Sequence, residues 1–295
     1  MHNYKIPRLH HLSGRLGNQL FEWAFAIQSN KHSDRPIVFF TDKYHQKAAT
    51  IKDFKDGFKV SGQEVRIVNI NLLGLVLMFF DKINRNSPKI ARCFERTFCF
   101  YRSKEAFMFP EQLPRNSIFV TGFFINYKAF FSVENEIFEK LSRIVSSTML
   151  PENLSLPANY QVIHARRGDF LLNEHLFGIL DLKYYEDNVD ADLPIVLCTD
   201  DPNSCQDLIN YLKITAVLSP MSASVWQTLK VMSLSKRVVM SNSTLAWWGS
   251  FLCVKNGGTA TVPVPFYPSL ELSSIDALSY PGFDLVNSSF RDPLQ

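Results

Sequence analysis

Three polar clusters in the second half of the chain have the composition of an anion-binding site. They are His164-Ala165-Arg166-Arg167-Gly168-Asp169, Thr199-Asp200-Asp201-Pro202 and Ser241-Asn242-Ser243-Thr244. Each cluster directly follows a short run of apolar residues that is typical of a buried strand. Because ligands of doubly wound sheets bind beyond the carboxyl ends of parallel strands, we expect the three clusters to converge on one site.

Arg166 is the residue that we expect to bind a phosphate. The planar guanidinium of arginine matches phosphate oxygens better than any other side chain does. Alternate residues of a strand face opposite sides of the sheet, so His164 and Arg166 share one face, and Arg167 is expected to form a structural ion pair on the other. Ser243 or Thr244 would cap a helix whose free backbone N–H groups and positive end meet the same anion. Together these residues predict a site for a nucleoside diphosphate.

Each of these features also has a purely structural interpretation. Paired arginines at a strand end often anchor salt bridges, a Ser-Asn-Ser-Thr segment often only caps a helix, and Asp200-Asp201-Pro202 is a common turn sequence. Asp190-Ala191-Asp192 has the D-x-D pattern of some metal sites, but it precedes the strand that begins at Ile195 and is at the wrong end for a ligand. We therefore expect no metal there. Gly14-Arg15-Leu16-Gly17 lacks the third glycine of a dinucleotide fingerprint and the lysine of a P-loop.

An α/β fold is predicted by the elements that must position these clusters. The apolar residues of one helical stripe are Leu16, Leu20, Trp23 and Ile27. This helix is predicted within residues 12–30, after a turn that contains Gly14 and Gly17, and a strand at 37–41 follows it. The second half alternates strands at 160–165, 195–199, 237–240 and 257–262 with helices at 182–189, 224–234 and 244–254. Such alternation predicts a parallel sheet with helices on both faces, whereas residues 45–115 show no regular pattern.

The composition indicates a folded protein of two domains that does not bind nucleic acid. The 295 residues include 31 basic and 28 acidic side chains, and the resulting net charge of +3 is too close to neutral for a nucleic-acid-binding chain. A hydrophobic fraction of 46% with 25 phenylalanines is ample for a core. A segment at 146–160 is rich in serine, proline and asparagine, as in a linker, so we predict domains at 1–150 and 151–295.

A cytoplasmic location is predicted by the cysteines and the N-terminus. The five cysteines include no C-x-x-C pair, which favours a reducing compartment, and residues 1–11 contain no apolar segment of a signal peptide. The longest apolar run, at 72–80, has nine residues and is too short to span a membrane. It is predicted as a buried helix or, because basic residues follow it, as part of a patch at 72–92 that rests on a membrane surface. The basic residues are Lys82, Arg85, Lys89 and Arg92.

Five segments of the chain resemble a known enzyme family. They are Gly14-Arg15-Leu16-Gly17-Asn18-Gln19-Leu20-Phe21, His164-Ala165-Arg166-Arg167-Gly168-Asp169-Phe170, Gly178-Ile179-Leu180-Asp181-Leu182-Lys183-Tyr184-Tyr185, Thr199-Asp200-Asp201 and Ser241-Asn242-Ser243-Thr244-Leu245-Ala246-Trp247-Trp248-Gly249. In sequence and in order they resemble the motifs of the α-1,2-fucosyltransferases of glycosyltransferase family 11. The resemblance spans residues 14–252, although nothing in 45–145 contributes to it.

The resemblance implies a GT-B-like α/β fold, in which two Rossmann-like domains face a central cleft. The N-terminal domain would be on the acceptor side and the C-terminal domain would bind GDP-fucose. The implied reaction is an inverting, metal-independent transfer of L-fucose from GDP-β-L-fucose to the 2-hydroxyl of a terminal β-galactoside, without a cofactor. The acceptor would be a galactose-terminated oligosaccharide or a lipid-linked glycan of a bacterial O-antigen, and the enzyme would be cytoplasmic or peripheral to the inner membrane. The alternatives are a non-catalytic nucleotide- or glycan-binding module and a transferase that uses another nucleotide sugar.

The resemblance also implies roles for individual residues. Arg166 would hold the β-phosphate and take up charge in the transition state. The other implied donor-site residues are His164, Asp200, Asp201, Ser241, Asn242, Ser243 and Thr244. The residues implied to face the cleft from the acceptor side are Gly14, Arg15, Gly17, Asn18 and Gln19. The catalytic base stays open between Asp169, Glu174 and a mechanism that uses no strong base.

Two positions depart from the family pattern. Thr228 stands where many relatives have an aspartate, so guanine would have to be recognised by another group, such as Gln227 or the backbone. Phe177 stands where relatives often have a histidine, which puts the local acceptor contacts in doubt.

Overall fold

A computed structural model describes residues 6–31, 33, 35–43, 48–103, 105–152, 154–268 and 275–292. The chain divides into two compact units, Met1–Ile137 and Phe138–Gln295. The division falls inside the helix Glu134–Ser147, whereas the sequence places a domain boundary after residue 150, beyond the end of that helix.

The first unit contains a five-stranded parallel sheet. Its elements are β1 (Arg8–His11), α1 (Leu16–Asn30), β2 (Ile37–Thr41), α2 (Ala48–Val60), β3 (Ile67–Asn69), α3 (Asn71–Asn86), α4 (Pro88–Thr97), β4 (Phe100–Arg102) and β5 (Phe119–Thr121), and α5 (Glu134–Ser147) follows them. The strand order is β3-β2-β1-β5-β4, and β1 pairs with β2 on one side and β5 on the other. The predicted helix within 12–30 and strand at 37–41 are confirmed.

Helix α1 covers this sheet with its apolar residues. Leu16, Leu20 and Trp23 are buried, as the predicted stripe requires, and Phe25 stacks on Phe124 with 3.9 Å between ring centroids. The chain enters the helix through Gly14, whose φ of +66° is unfavourable for any residue with a Cβ. A Cβ at this position would also lie 2.8 Å from Asn18 Nδ2. Gly14 therefore fixes the angle between the end of β1 and α1.

The second unit contains a six-stranded parallel sheet. Its elements are β6 (Gln161–Ala165), α6 (Gly168–Leu171), α7 (Glu174–Phe177), α8 (Leu182–Asn188), β7 (Ile195–Thr199), α9 (Gln206–Tyr211), β8 (Ile214–Leu218), α10 (Val225–Leu234), β9 (Arg237–Val239), α11 (Thr244–Lys255), β10 (Thr259–Val264), α12 (Ile275–Leu278) and β11 (Phe283–Asn287). The strand order is β11-β10-β9-β6-β7-β8. The predicted alternation and the α/β class are confirmed, while β8, α9 and β11 are elements that the sequence did not predict.

The core of the second unit is formed by central strands that are buried on both faces. Ile163, Leu197 and Val239 have no exposed surface, in keeping with the continuous apolar runs of a covered parallel sheet. Helix α11 is buried almost throughout, and Trp247 and Trp248 are fully buried. The indole of Trp247 donates a 2.9 Å hydrogen bond to the carbonyl of Leu278, so its polar group is satisfied in the core.

Residues 72–80 form part of α3, as the sequence predicts, but only one side of this helix is buried. Leu77 is buried, and an opposite face is exposed to solvent. The exposed apolar residues of that face are Leu72, Leu75, Met78 and Phe79. Among the residues that the structure describes, no helix has the length and apolar character needed to cross a bilayer.

Candidate functional site

The structure brings the three polar clusters together at the carboxyl edge of the second sheet. Strand β6 lies between β7 and β9, with Ala165 paired to Thr199 and Ile163 paired to Val239. The three strands therefore end side by side, and the clusters that follow them are neighbours. This is the edge at which doubly wound sheets bind their ligands.

Arg166 is held at this edge by two carboxylates and one aromatic ring. Its Nη2 donates to Asp169 Oδ1 over 2.6 Å, its Nη1 lies 3.1 Å from Asp200 Oδ2, and its guanidinium lies 5.5 Å from the ring centroid of Phe170. The side chain is 12% exposed. Because a guanidinium carries five N–H groups, these contacts leave donors for a ligand while they fix the plane of the group. Arg166 is thus preorganised rather than flexible.

Asp200 fixes the turn that carries Arg166. Its Oδ1 accepts hydrogen bonds from the backbone N–H groups of Arg167 at 2.9 Å and Gly168 at 3.1 Å. The close approach requires glycine, because a Cβ on Gly168 would lie 2.6 Å from Asp200 Oδ2. Asp200 therefore fixes both the position of Arg166 and the shape of the turn.

Arg167 points away from this group and forms the structural ion pair that the sequence predicts. Both of its Nη atoms donate to the carboxylate of Asp207, and Nη1 also donates to the carbonyl of Ser204 over 2.6 Å. The side chain is buried. The two adjacent arginines that follow β6 therefore have different partners, Asp169 and Asp200 for Arg166 and Asp207 for Arg167, as the expected alternation requires.

His164 links the first cluster to the third. Its Nδ1 is 2.8 Å from Ser241 Oγ, and both residues are buried. Burial, together with the positive charge of Arg166, lowers the pKa of His164 to about 4, although the carboxylate of Asp200 acts in the opposite direction. His164 is therefore neutral near pH 7, so it can exchange one hydrogen bond with Ser241 without adding charge beside a ligand.

Two buried tyrosines of α8 hold the ends of the strands that carry the site. The hydroxyl of Tyr184 donates to the carbonyl of Met240 over 2.7 Å, and that of Tyr185 donates to the carbonyl of His164 over 3.2 Å. Helix α8 is itself fixed by Asp181, which accepts from the backbone N–H of Tyr184 and from the hydroxyl of Ser289. The motif segment at 178–185 therefore positions the strand ends.

The third cluster forms the beginning of α11. Ser243 occupies the N-cap position, but its side chain makes no capping hydrogen bond, and the first turn contains no acidic residue. The prediction that a hydroxyl caps this helix is therefore wrong for Ser243. Thr244 is the first helical residue, and the side chain of Asn242 is turned toward the 177–178 segment, where it donates to the carbonyls of Phe177 and Gly178. The positive end of α11 is thus not neutralised by a cap from Ser243 or by a first-turn carboxylate.

The remaining predicted residues of this unit have structural partners. Asp201 accepts from the backbone N–H of Asn203 and stabilises a turn. Asp169, at 40% exposure, is ion-paired with Arg166. Glu174 receives two hydrogen bonds from Arg291, at 2.6 and 2.8 Å. Each candidate base is therefore engaged in an ion pair with an arginine.

Thr228 and Phe177, the two residues that depart from the family pattern, both have contacts within the second unit. Thr228 donates its hydroxyl to the carbonyl of Ser224. Gln227 forms the capping box of α10 with Ser224, and its amide nitrogen donates to the carbonyl of Met149 over 2.7 Å. Both ends of Gln227 are therefore occupied, which disfavours it as a guanine contact. Phe177 stacks on Phe170 at 4.6 Å.

The N-terminal motif surrounds the turn between β1 and α1 in the first unit. Gln19 is fully buried and donates to the carbonyl of Gly14 over 3.0 Å, so it holds the turn in place. Gly17 is buried in α1, Asn18 is half-buried, and Arg15 is exposed. Of the predicted acceptor-side residues, Gly14, Arg15 and Asn18 therefore have surface that a ligand could contact.

Sequence reasoning missed a pair of residues beside this turn. His11, at the end of β1, has its Nε2 2.9 Å from Asp42 Oδ2, and both side chains are buried. His11 also lines a cavity of about 320 Å³ together with Ser13, Gly14 and Thr121. The sequence contains little to identify this pair. His11 ends one strand and Asp42 follows the next strand, 31 residues away.

The Asp190-Ala191-Asp192 segment lies between α8 and β7. Asp192 donates its backbone N–H to Asp190 Oδ1, and the carbonyl of Asp190 accepts from Gln161. This is the amino end of β7, opposite to the clusters. Within the described part of the chain, no group of three or more histidine, cysteine, aspartate or glutamate side chains is arranged to hold a metal ion.

Comparison with known proteins identifies related sequences and folds. The profile of glycosyl transferase family 11 matches residues 11–274. The chain is 24% identical to an α-1,2-colitosyltransferase of Escherichia coli over 90% of this chain and 94% of that protein. It is 31% identical to the O-antigen biosynthesis glycosyltransferase WbnK of Escherichia coli over 32% of this chain and 35% of that protein.

Solved structures with a similar arrangement of elements share little sequence with the chain. Escherichia coli heptosyltransferase WaaC with ADP matches with a TM-score of 0.47 and 12% identity, over 95% of this chain and 93% of that one. The fucosyltransferase NodZ from Bradyrhizobium matches with a TM-score of 0.43 and 14% identity, over 83% of this chain and 93% of that one.

Proposed function

Because the chain belongs to glycosyltransferase family 11, we propose that it transfers L-fucose from GDP-β-L-fucose to the 2-hydroxyl of a terminal β-galactoside. The new linkage would be α-1,2 with inversion at the anomeric carbon, and neither a metal ion nor another cofactor would take part. The family assignment supports a sugar transfer. The choice of donor and linkage rests on the motifs that resemble those of α-1,2-fucosyltransferases.

The observation that carries this proposal is that Arg166 and the start of α11 follow the neighbouring strands β6 and β9, whose ends are linked by the 2.8 Å contact of His164 Nδ1 with Ser241 Oγ. Transfer breaks the bond between the anomeric carbon and a phosphate oxygen, so negative charge grows on the departing diphosphate. A fixed guanidinium and a helix end without an acidic residue are groups that stabilise such charge without reorganising during the reaction. A neutral His164 adds a hydrogen-bonding surface and no competing charge.

The reaction would be a single displacement. The galactose 2-hydroxyl loses its proton, its oxygen attacks the anomeric carbon of the fucosyl group, and GDP leaves with the electron pair of the broken bond. Arg166 would contact the β-phosphate, and the start of α11 at Ser243 and Thr244 would meet the diphosphate with the positive end of the helix and with the Ser243 hydroxyl, which makes no capping hydrogen bond. The acceptor would bind to the first unit, which carries Arg15 and Asn18 on the turn at Gly14.

A second candidate donor is favoured by the similarity to an α-1,2-colitosyltransferase. Colitose lacks one hydroxyl of fucose, so a site that fits the fucosyl ring has room for it. GDP-colitose is therefore the alternative donor. A bacterial O-antigen is the proposed destination of the product, since WbnK is named for that pathway. A non-catalytic module of the same fold is the alternative that Thr228 and Phe177 favour.

An activity screen tests these proposals. The protein is incubated with GDP-fucose or GDP-colitose and a panel of β-galactosides, with UDP-galactose and EDTA-treated samples as controls, and the product linkage is determined by NMR. We expect an α-1,2-fucosylated product. Transfer from GDP-colitose but not from GDP-fucose would show that GDP-colitose is the donor. Binding of GDP with no transfer to any acceptor and no hydrolysis of either nucleotide sugar would favour the non-catalytic module.

The exposed face of α3 is the surface that we propose for contact with an anionic membrane. Leu72, Leu75 and Phe79 lie along one side of the helix and are exposed, and Lys82 and Lys89 beyond them are also exposed. Exposed apolar residues bordered by lysines match the boundary between acyl chains and anionic headgroups. The side chains of the other two basic residues of the 72–92 patch, Arg85 and Arg92, lie outside the described residues.

Vesicle sedimentation tests this surface. Wild-type protein should sediment with phosphatidylglycerol-containing vesicles more than with pure phosphatidylcholine vesicles, and the double substitution Leu72→Ser and Phe79→Ser should abolish the difference. Leu285→Ser, at an equally exposed leucine of the second unit, is the matched control. Equal sedimentation of wild type and the double variant would refute the membrane contact.

A further inference from the structure

His11 and Asp42 form a buried pair in the first unit. His11 Nε2 lies 2.9 Å from Asp42 Oδ2, and the side chains are 3% and 0% exposed. An ionised carboxylate only accepts hydrogen bonds, so the proton between them belongs to His11 Nε2. The lone pair of the neutral imidazole is then on Nδ1, where Thr121 Oγ1 is 3.3 Å away.

His11 Nδ1 lies beside Thr121, a residue of the cavity lining. His11 and Thr121 both line this space of about 320 Å³, whereas Asp42 is not part of its lining. The partner of Nε2 is therefore outside the lining and the partner of Nδ1 is within it, which points to Nδ1 as the nitrogen nearer the cavity. The polar lining residues are Ser13, Arg102, Ser103 and Glu105, and Phe123 adds a partly exposed ring. Hydroxyl donors and acceptors beside an aromatic ring are the contacts that a sugar needs.

The surrounding structure fixes this pair. The ring of His11 stacks on Phe40 at 4.8 Å between centroids. Helix α3 packs on Asp42 through Gly74, where a Cβ would lie 2.4 Å from the carboxylate. A glycine at this point of α3 allows a helix to cover a buried carboxylate closely, which shields the Asp42 side of the pair from solvent.

The next turn is fixed by a second buried carboxylate. Glu22 accepts from the backbone N–H of Ser13 at 2.8 Å and from its hydroxyl at 2.6 Å. Burial raises the pKa of Glu22 well above its ordinary value. Glu22 therefore orients Ser13 at the cavity wall, two residues after His11.

From this geometry we infer that His11 is the catalytic base of the transfer and that the cavity binds the acceptor hydroxyl. This inference rests on the proposed function. The hydroxyl proton passes to His11 Nδ1, the oxygen forms the bond to the anomeric carbon, and the electron pair of the broken bond leaves with the nucleoside diphosphate. Asp42 stabilises the resulting imidazolium and holds the tautomer that exposes Nδ1. His11 then releases the proton to solvent.

Within the described part of the chain, charged groups on four elements or loops lie near His11. Asp42 follows β2, Arg102 ends β4, Glu105 lies beyond β4, and Glu22 lies on α1 behind Ser13. Asp42 is the group in direct contact with the ring. Because the base must be neutral to accept a proton, we expect kcat/KM to fall toward acidic pH.

Substitution of His11 tests its role. His11→Asn should lower kcat about 10²- to 10⁴-fold, the range of a lost general base, while the Kd for GDP stays within twofold of wild type. The decrease of kcat/KM at acidic pH should be absent in His11→Asn. The matched control is His10→Asn, the adjacent buried histidine of β1, whose ring packs on Phe25 and Phe39 on the other face of the sheet. This control should keep its pH profile.

Asp42→Asn provides a second test if His11→Asn does not fold. It keeps the shape of the pair but permits the tautomer with the proton on Nδ1, so kcat should fall at least tenfold with little change in KM. A wild-type kcat and pH profile in folded His11→Asn or Asp42→Asn would overturn the inference while transfer itself stands. A wild-type protein that transfers no sugar would instead refute the proposed function.

Asp169→Asn and Glu174→Gln complete the comparison. If His11 is the base, these variants should retain the acidic limb of the pH profile. Loss of that limb in either variant, with the limb retained in His11→Asn, would assign the base to the second unit.

Discussion

Removal of the Arg166 guanidinium should weaken both GDP binding and transfer. A charge-assisted hydrogen bond to a phosphate contributes about 1.5–3 kcal/mol, so Arg166→Ala should raise the Kd for GDP about 10- to 150-fold. Because charge on the diphosphate increases in the transition state, kcat should fall further, about 10²- to 10³-fold.

The fold should survive this substitution. Asp200 keeps the backbone N–H groups of Arg167 and Gly168 as donors at 2.9 and 3.1 Å, so its carboxylate is not left buried without hydrogen bonds. Asp169 is 40% exposed and can be solvated when Arg166 is absent. We therefore expect a cooperative thermal transition in Arg166→Ala, with the defect confined to the ligand.

Calorimetric titration with GDP and a coupled transfer assay measure the two effects. Arg237→Ala is the matched control, since Arg237 begins β9 at the opposite edge of the same sheet and donates to the carbonyl of Asn188. Arg166→Lys keeps the charge without the planar fork and should fall between wild type and Arg166→Ala. A Kd and a kcat within twofold of wild type in folded Arg166→Ala would refute the role of Arg166 in phosphate binding.

Three further predictions concern the second unit. The pKa of His164 is about 4 in the folded chain against an ordinary value of 6.5, so on acidification the unfolded chain binds the proton first and the folded chain loses stability between pH 6.5 and pH 4. His164→Asn should remove about 3 kcal/mol of this loss, measured as the free energy of unfolding in denaturant titrations at several pH values. The same dependence of unfolding free energy on pH in wild type and variant would contradict the assigned neutrality of His164. Gly168→Ala should destabilise the fold by about 1–3 kcal/mol and weaken GDP binding, because its Cβ would displace Asp200, whereas an unchanged melting temperature and Kd would show that the turn adapts. EDTA should leave transfer intact, and a chelator-sensitive activity that Mg²⁺ restores would direct attention to Asp190 and Asp192.

The sequence predicted the central elements of the second unit better than its edges. Strands β6, β7 and β9 are buried on both faces and are read directly from continuous apolar runs. Strand β8 has alternating exposure, and β11 buries only Phe283 among its five residues, so neither has the apolar run of a covered strand. Their places in the sheet depend on pairing with β7 and β10, which local sequence does not encode.

Residues 45–115 were unpredictable for a related reason. Strands β3 and β4 have three residues each and are stabilised mainly by parallel partners. In α3, four large apolar residues face solvent and Leu77 faces inward, so apolar periodicity does not identify the buried side. A sequence rule that places apolar residues inside therefore fails for an exposed surface of this kind.

The site was predicted to the extent that strand geometry determines it. Alternation along β6 correctly separated Arg166 from Arg167, and the carboxyl ends of neighbouring strands brought the clusters together. The choice of partners was not predictable: Asp207 pairs with Arg167 from 40 positions away, and Arg291 reaches Glu174 from 117 positions away. Capping by Ser243 was predicted from residue type alone, and its hydroxyl takes no part in it.

The motif residues fall into a small group that can meet a ligand and a larger group that positions it. In the second unit, Asp200 and Gly168 shape the turn, and the buried tyrosines of α8 hold the strand ends, while Arg166 carries the exposed donors. The first unit repeats this division, because Gln19 and Glu22 anchor the turn at residues 13–14 from beneath. A buried polar group without a partner costs more than an ordinary hydrogen bond contributes, so these supporting residues are as restricted in type as the groups that would contact substrate. A motif in such a chain therefore marks a rigid turn at the end of a strand, and the candidates for catalysis are the few polar groups at that turn that the supporting contacts leave available.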